Sequence, residues 1–151
     1  MRRRGFLTGA LAASLPQVAG AHTLYNQWVV YRRKHLHIGC HKEDPPTFGL
    51  AHTVAAVINH VVPKAAARVA RAPYPGRLAS LLATDQLDVV ILSWTDAAAL
   101  AKGEGTFAPY GAVPIRTLSG FGPGHVVAAH RAFPDHHSWL LAAALAEIEP
   151  I

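Results

Sequence analysis

The sequence predicts an α/β fold, a three-layer sandwich built on a mostly parallel sheet of about five strands. Short strand-like segments alternate with amphipathic helical segments over most of the 151 residues, which is the pattern of helices packed on both faces of a parallel sheet. Residues 87–92 are nearly all apolar, as expected of a central parallel strand that is buried on both faces. Turn-forming prolines and glycines separate the segments and set their expected boundaries.

The first strand–helix unit is predicted over the segment that follows residue 33. Polar and apolar residues alternate over residues 34–40 and indicate a strand. Apolar residues recur at helical spacing over residues 48–61, and Pro63 ends that helix. Because prolines disfavour helix just before them, we expect Thr47, which follows two prolines, to be the N-cap.

The same unit recurs twice along the chain. Residues 67–72 and 77–84 form the second strand and helix of this prediction. The third unit pairs the apolar strand at residues 87–92 with a short, alanine-rich helix. Ser93 is the expected N-cap of that helix and Gly103 its expected end.

The last third of the chain contributes two more strands and a helix. Strands are predicted over residues 113–118 and 125–130, joined by a link rich in glycine, and a final helix over residues 135–148. Residues 22–33 fit an additional strand or a short helix, and the pattern does not choose between them.

The first 21 residues have the layout of a cleavable export signal. Arg3 and Arg4 precede Gly-Phe-Leu, as in the twin-arginine export motif, and the small residues Ala19-Gly20-Ala21 suit signal peptidase. Pro16 and Gly20 interrupt the apolar run before the ~20 residues that a bilayer span needs. We therefore expect residues 22–151 to be one periplasmic domain that is not inserted in the membrane.

Charge and cysteine content exclude two classes of protein. The chain has 14 basic and 9 acidic residues, but three of the basic residues are Arg2, Arg3 and Arg4, so the predicted mature chain keeps 11 against 9. This small excess argues against nucleic-acid binding. Cys40 is the single cysteine, so no intrachain disulfide can form and packing must hold the fold.

The candidate binding residues lie in the loops that leave the predicted parallel strands. Such loops converge at one edge of an open sheet, where helix N-termini present free N–H groups that suit a small anion or carboxylate. The three loops span residues 40–47, 74–77 and 93–96. Their candidate ligand-binding residues are Cys40, His41, Thr47, Tyr74, Gly76, Arg77, Ser93, Trp94, Thr95 and Asp96.

Three stretches of the chain match a known family pattern, namely His37-Ile38-Gly39 at the first strand, residues 77–82 with 86–91, and residues 93–98. With the order of elements, they resemble one lobe of the type II periplasmic solute-binding proteins, most closely the TAXI group that serves TRAP transporters. The resemblance covers residues 34–133. The resemblance implies a solute-binding protein rather than an enzyme. Relatives hold their ligand between two lobes, so a single lobe implies that a partner protein or a second copy, in a homodimer, covers the open edge through Trp94, Tyr74 and Phe121.

A metal-binding role is the alternative, as an accessory protein for an exported redox metalloenzyme. The chain has 10 histidines, and cleavage would make His22 the N-terminal residue, whose amine and imidazole can chelate copper. Cys40 and His41 add soft and borderline ligands for copper or zinc. The spacing of these three residues matches no known zinc motif.

Overall fold

The computed structural model describes residues 34–121 and 123–148. The predicted export signal, His22 and the segment up to Arg33 lie outside these ranges. Short 3-10 turns at Pro63–Ala65 and Gly105–Tyr110 link some of the elements. In chain order the strands and longer helices are β1 (His37–His41), α1 (Pro46–Val61), β2 (Arg68–Ala72), α2 (Pro75–Ala83), β3 (Val89–Ser93), α3 (Trp94–Lys102), β4 (Ile115–Phe121), β5 (His125–His130) and α4 (Asp135–Leu145).

The five strands form one open sheet in the order β2-β1-β3-β5-β4. β1 pairs in parallel with both β2 and β3, whereas β5 is antiparallel to its neighbours β3 and β4. Four of the strands therefore run in one direction, and β5 runs against them. The reason is the short link from Phe121 to His125, since a parallel connection needs a crossover of a dozen or more residues.

Helices cover both faces of the sheet, which confirms the predicted three-layer α/β class. On one face, Ile38 and Ile91 pack with Val54 of α1 and Leu141 of α4 in a buried apolar cluster. On the other face, Val90 belongs to a second cluster, to which α2 contributes Leu78 and Leu82 and α3 contributes Leu100. Successive residues of β3 thus enter different clusters, and the strand is buried on both sides as its apolar sequence predicts.

The predicted ends of α3 are confirmed, but the predicted start of α1 is wrong. The backbone N–H of Asp96 donates to the Ser93 side chain at 3.1 Å, and Gly103 ends α3 with a φ of 69°. α1 begins at Pro46, with Pro45 as its N-cap residue, because proline fits the first turn of a helix, where no N–H is needed. Thr47 is buried and its hydroxyl instead donates to the carbonyl oxygen of Asp44 at 2.5 Å.

Within the described ranges, no helix combines the length and the apolar character needed to cross a bilayer.

Candidate functional site

The strand order creates a topological switch point between β1 and β3. After β1 the chain forms β2, which lies on one side of β1. After β3 the chain forms β4 and β5, which lie on the other side of the sheet. Loops that diverge in this way leave a crevice at the strand C-termini, where α/β proteins commonly bind ligands. We define the switch-point crevice by residues 41–47 after β1, residues 93–96 after β3, and His125. His125 belongs to it because it pairs with Ser93 across the antiparallel ladder.

His41 is the most unusual residue of the switch-point crevice. Its side chain is 2% exposed, and neither ring nitrogen has a hydrogen-bond partner. The nearest charged group is the carboxylate of Asp96 in the first turn of α3, with 3.7 Å between Nε2 and Oδ2, which is too long for a hydrogen bond. A buried polar group without a partner costs about 1–3 kcal/mol. The fold therefore tolerates an unfavourable imidazole at this point.

A second imidazole–carboxylate contact lies at the same edge of the sheet. Nε2 of His125 is 3.0 Å from Oδ2 of Asp44, and each side chain is about one-fifth exposed. His125 also lines a cavity of about 710 Å³, together with Pro46 and Leu50 of α1. The contact fastens the loop after β1 to the first residue of β5. This contact lies on the α1 face of the sheet, whereas the His41 side chain lies on the opposite face.

Sequence reasoning selected neither Asp44 nor His125 as a site residue. A signal for His125 was present, because the short link after Phe121 permits only a hairpin. A hairpin makes β5 antiparallel, so that the strand begins at the edge where β3 ends. Asp44 lies in the loop after β1, which was predicted to be part of the site, but no local pattern marked this residue. Its partner His125 is 81 residues away in the sequence.

The α3 side of the crevice contains the predicted residues Ser93, Trp94, Thr95 and Asp96. Ser93 accepts the N–H of Asp96, and the N–H of Trp94 donates to Gly124 at 3.1 Å. Thr95 is exposed. The Trp94 side chain is 44% exposed, and a methyl group on Gly120 would come within 3.2 Å of its ring. One part of the indole therefore packs on β4 while the rest faces solvent beside the crevice.

The predicted residues Tyr74, Gly76 and Arg77 lie at the start of α2, in the turn that follows β2 at the same edge of the sheet. The N–H of Arg77 donates to the carbonyl of Tyr74 at 3.2 Å. Gly76 is buried, and a methyl group there would come within 2.7 Å of the Tyr110 hydroxyl. Among the described residues, no hydrogen bond or ion pair connects this turn to the switch-point crevice. The Arg77 side chain instead borders a groove beside β2.

Cys40 is buried among apolar residues on the α1 side of β1. Burial raises the pKa of the Cys40 thiol, and the nearby Arg71 guanidinium offsets part of that rise. His41 is the next residue of the strand, so its side chain points to the opposite face. These two predicted metal ligands cannot share one site without rebuilding β1. Residues 34–121 and 123–148 contain no group of three or more His, Cys, Asp or Glu side chains placed to hold a metal.

The crevice therefore offers a buried imidazole, a carboxylate beside it and the first turn of a helix, with an aromatic ring at the rim. No family model matches the chain, and no curated protein matches it significantly.

Proposed function

We propose that this protein is a periplasmic solute-binding module that holds a small anionic ligand in the switch-point crevice. One observation carries the proposal, namely the buried imidazole of His41 without a hydrogen-bond partner. An N–H group on this ring can donate to a ligand oxygen, and that bond would offset the cost of burying the imidazole.

The neighbouring helix adds to the attraction of His41 for an anion. His41 lies next to the first turn of α3, and the N-terminus of a helix carries a partial positive charge. Asp96 in the same turn works against a simple inorganic anion, because its carboxylate would lie close to the bound charge. A carboxylate that belongs to a larger molecule, with a hydrogen-bond donor facing Asp96, fits both groups.

Titration calorimetry of the purified protein against a panel of small hydroxy, keto and amino carboxylates, with inorganic phosphate included, tests this function. We expect one carboxylate to bind and His41→Leu to lose that binding. The His41→Leu protein should remain folded with an unchanged or higher free energy of unfolding, because leucine leaves no polar atom without a partner. His136→Leu is the matched control, since His136 is exposed at the start of α4.

Two outcomes would contradict the proposed function. The first is equal affinity of the wild-type and His41→Leu proteins for the bound carboxylate. The second is the absence of binding by every member of the panel together with a large loss of stability in His41→Leu, which would make His41 a packing residue.

A second copy of the chain or a partner protein is proposed to cover the open crevice. Three aromatic side chains at this edge of the sheet are partly exposed, namely Phe48, Tyr74 and Trp94. Partly exposed aromatic residues around a binding site are typical of protein interfaces. The resemblance to one lobe of a two-lobed binding protein supports the same arrangement.

A further inference from the structure

β2 lies at one edge of the sheet that the described residues form. Within the described ranges it pairs with β1 alone. The N–H of Arg68 donates to Leu36, and the carbonyl of Ala72 accepts from Lys42, so these two residues direct their backbone groups toward β1. Because backbone direction alternates along a strand, the N–H and carbonyl groups of Val69 and Arg71 point outward. The edge therefore offers two donors and two acceptors to another strand.

A groove of about 730 Å³ runs beside this edge, between β2 and α2. Ala70 and Ala72 line it from the strand, and Leu81 and Leu87 line it from the other side. The small alanine side chains leave the space open, and the lining is largely apolar. A strand added to β2 could thus place every second side chain in the groove.

The positive charge along the edge of β2 favours an acidic strand as its partner. Arg68 and Arg71 are exposed on β2, and Arg77 borders the groove from α2. The guanidinium of Arg71 lies 4.4 Å from the centre of the Phe48 ring, which restrains it near the edge. Two copies of β2 paired with each other would bring arginine side chains together, and like charges across strands are unfavourable. An acidic strand meets no such repulsion.

We propose that the edge of β2 is a docking site for an extended acidic segment of a partner protein. The segment pairs with the outward backbone groups of Val69 and Arg71, places small apolar side chains in the groove, and sets its alternate carboxylates on the opposite face, beside Arg71. Strand addition of this kind draws affinity from the backbone and specificity from alternate side chains. The site is separate from the switch-point crevice and does not depend on the function proposed for it.

Fluorescence anisotropy with two labelled synthetic peptides, Glu-Val-Glu-Val-Glu-Val and Lys-Val-Lys-Val-Lys-Val, tests the site on the whole purified protein. We expect the acidic peptide to bind and the basic peptide not to bind. Arg71→Glu should weaken binding of the acidic peptide about tenfold, because an attraction becomes a repulsion. Arg131→Glu makes the same charge change in the turn after β5 and should leave binding unchanged.

Val69→Pro and Val69→Ala form a matched pair for the backbone contact. Both remove the valine side chain, but only proline removes the outward N–H, and proline is tolerated on edge strands. We expect Val69→Pro to bind the acidic peptide at least several-fold more weakly than Val69→Ala, with thermal melts checking that both fold. If Val69→Pro does not fold, the affinity of Arg71→Glu for the acidic peptide decides.

Equal binding of the acidic and basic peptides would overturn the proposal, as would failure of the acidic peptide to bind. An unchanged affinity of Arg71→Glu for the acidic peptide would also overturn it. If the acidic peptide does not bind, the arginines instead protect the edge from pairing, which is a common use of charge on exposed strands.

Discussion

Nε2 of His125 lies 3.0 Å from Oδ2 of Asp44, and this contact joins groups that are 81 residues apart in the sequence. It connects the only antiparallel strand of the described sheet to the loop that follows β1. We expect Asp44→Ala and His125→Ala each to destabilise the protein, with a coupling free energy of about 1 kcal/mol in a double-mutant cycle. Urea denaturation of the wild type, both single variants and the double variant measures it. If the losses in free energy of unfolding of the two single variants add up to the loss of the double variant, the two side chains do not interact.

The Asp44–His125 contact also marks the limit of what the sequence could predict about the site. The residues of the Ser93 loop were predictable because a buried apolar strand and a helix cap are local signals. The proximity of His41 to Asp96 and the contact of Asp44 with His125 depend on strand order and direction. No local pattern carries that information.

Each predicted strand and helix over residues 34–148 is present, but the ends differ by up to three residues: β1 begins at His37 rather than at 34, and β4 extends through Gly120 to Phe121 rather than ending at 118. β5 was placed at residues 125–130, where the structure has it, because two histidines bound an apolar run. α1 starts at Pro46, one residue before Thr47, because proline is well suited to the first position of a helix. The 3-10 turn at Gly105–Tyr110 was expected to be irregular loop, because its glycines and proline mask the turn.

Gly39 and Gly49 should respond in opposite ways to the same substitution. A methyl group on Gly39 would collide with Leu87 and come within 2.8 Å of Cδ1 of Leu78, so Gly39→Ala should cost about 1–3 kcal/mol of stability. A methyl group on Gly49 meets no atom within 4 Å, and Gly49 lies inside α1. Gly49→Ala should therefore stabilise by roughly 0.5–1 kcal/mol. Urea denaturation measures both, and a stable Gly39→Ala protein would contradict the close packing of β1 against Leu87.

Cys40 should react slowly with thiol reagents in the folded protein. The chain has one cysteine, so a disulfide-exchange reagent reports on this thiol alone. Burial raises the pKa of Cys40, with a smaller opposing effect from Arg71, and the thiolate is the reactive form. We expect release of the reagent's chromophore at pH 8 to be slow without denaturant and fast in urea. Equal rates would show that Cys40 is accessible.

The raised pKa of Cys40 also predicts a loss of stability in alkali. The unfolded thiol has the lower pKa, so the unfolded state releases its proton first as the pH rises. The free energy of unfolding should consequently fall above the usual thiol pKa. Cys40→Ala should show a shallower decline, and the difference between the two pH profiles isolates the thiol from lysine and tyrosine titration.

If the chain is exported by the twin-arginine route, as its first residues predict, Arg3 and Arg4 should both be needed. Replacing the two arginines by lysines keeps the charge of the segment while removing the motif. We expect uncleaved precursor to collect in the cytoplasm of cells that carry the double change. Arg2→Lys alone is the matched control and should leave export intact. Periplasmic protein of unchanged size and amount from the double variant would contradict this route.

Trp94 should contribute more to association of the protein with a second copy than to its fold. The Trp94 side chain is 44% exposed, and its packed part covers Gly120. Because Trp94→Ala removes only partly buried surface, it should lower the free energy of unfolding by about 1–2 kcal/mol, less than replacement of a core tryptophan would. If a second copy covers the crevice, light scattering should show a dimer that dissociates in Trp94→Ala. Trp139→Ala is the control, because Trp139 is 70% exposed on α4, and it should leave the dimer intact. An unchanged assembly with a large fall in melting temperature would instead identify Trp94 as a core residue, and a monomeric wild-type protein would exclude the second copy as the cover.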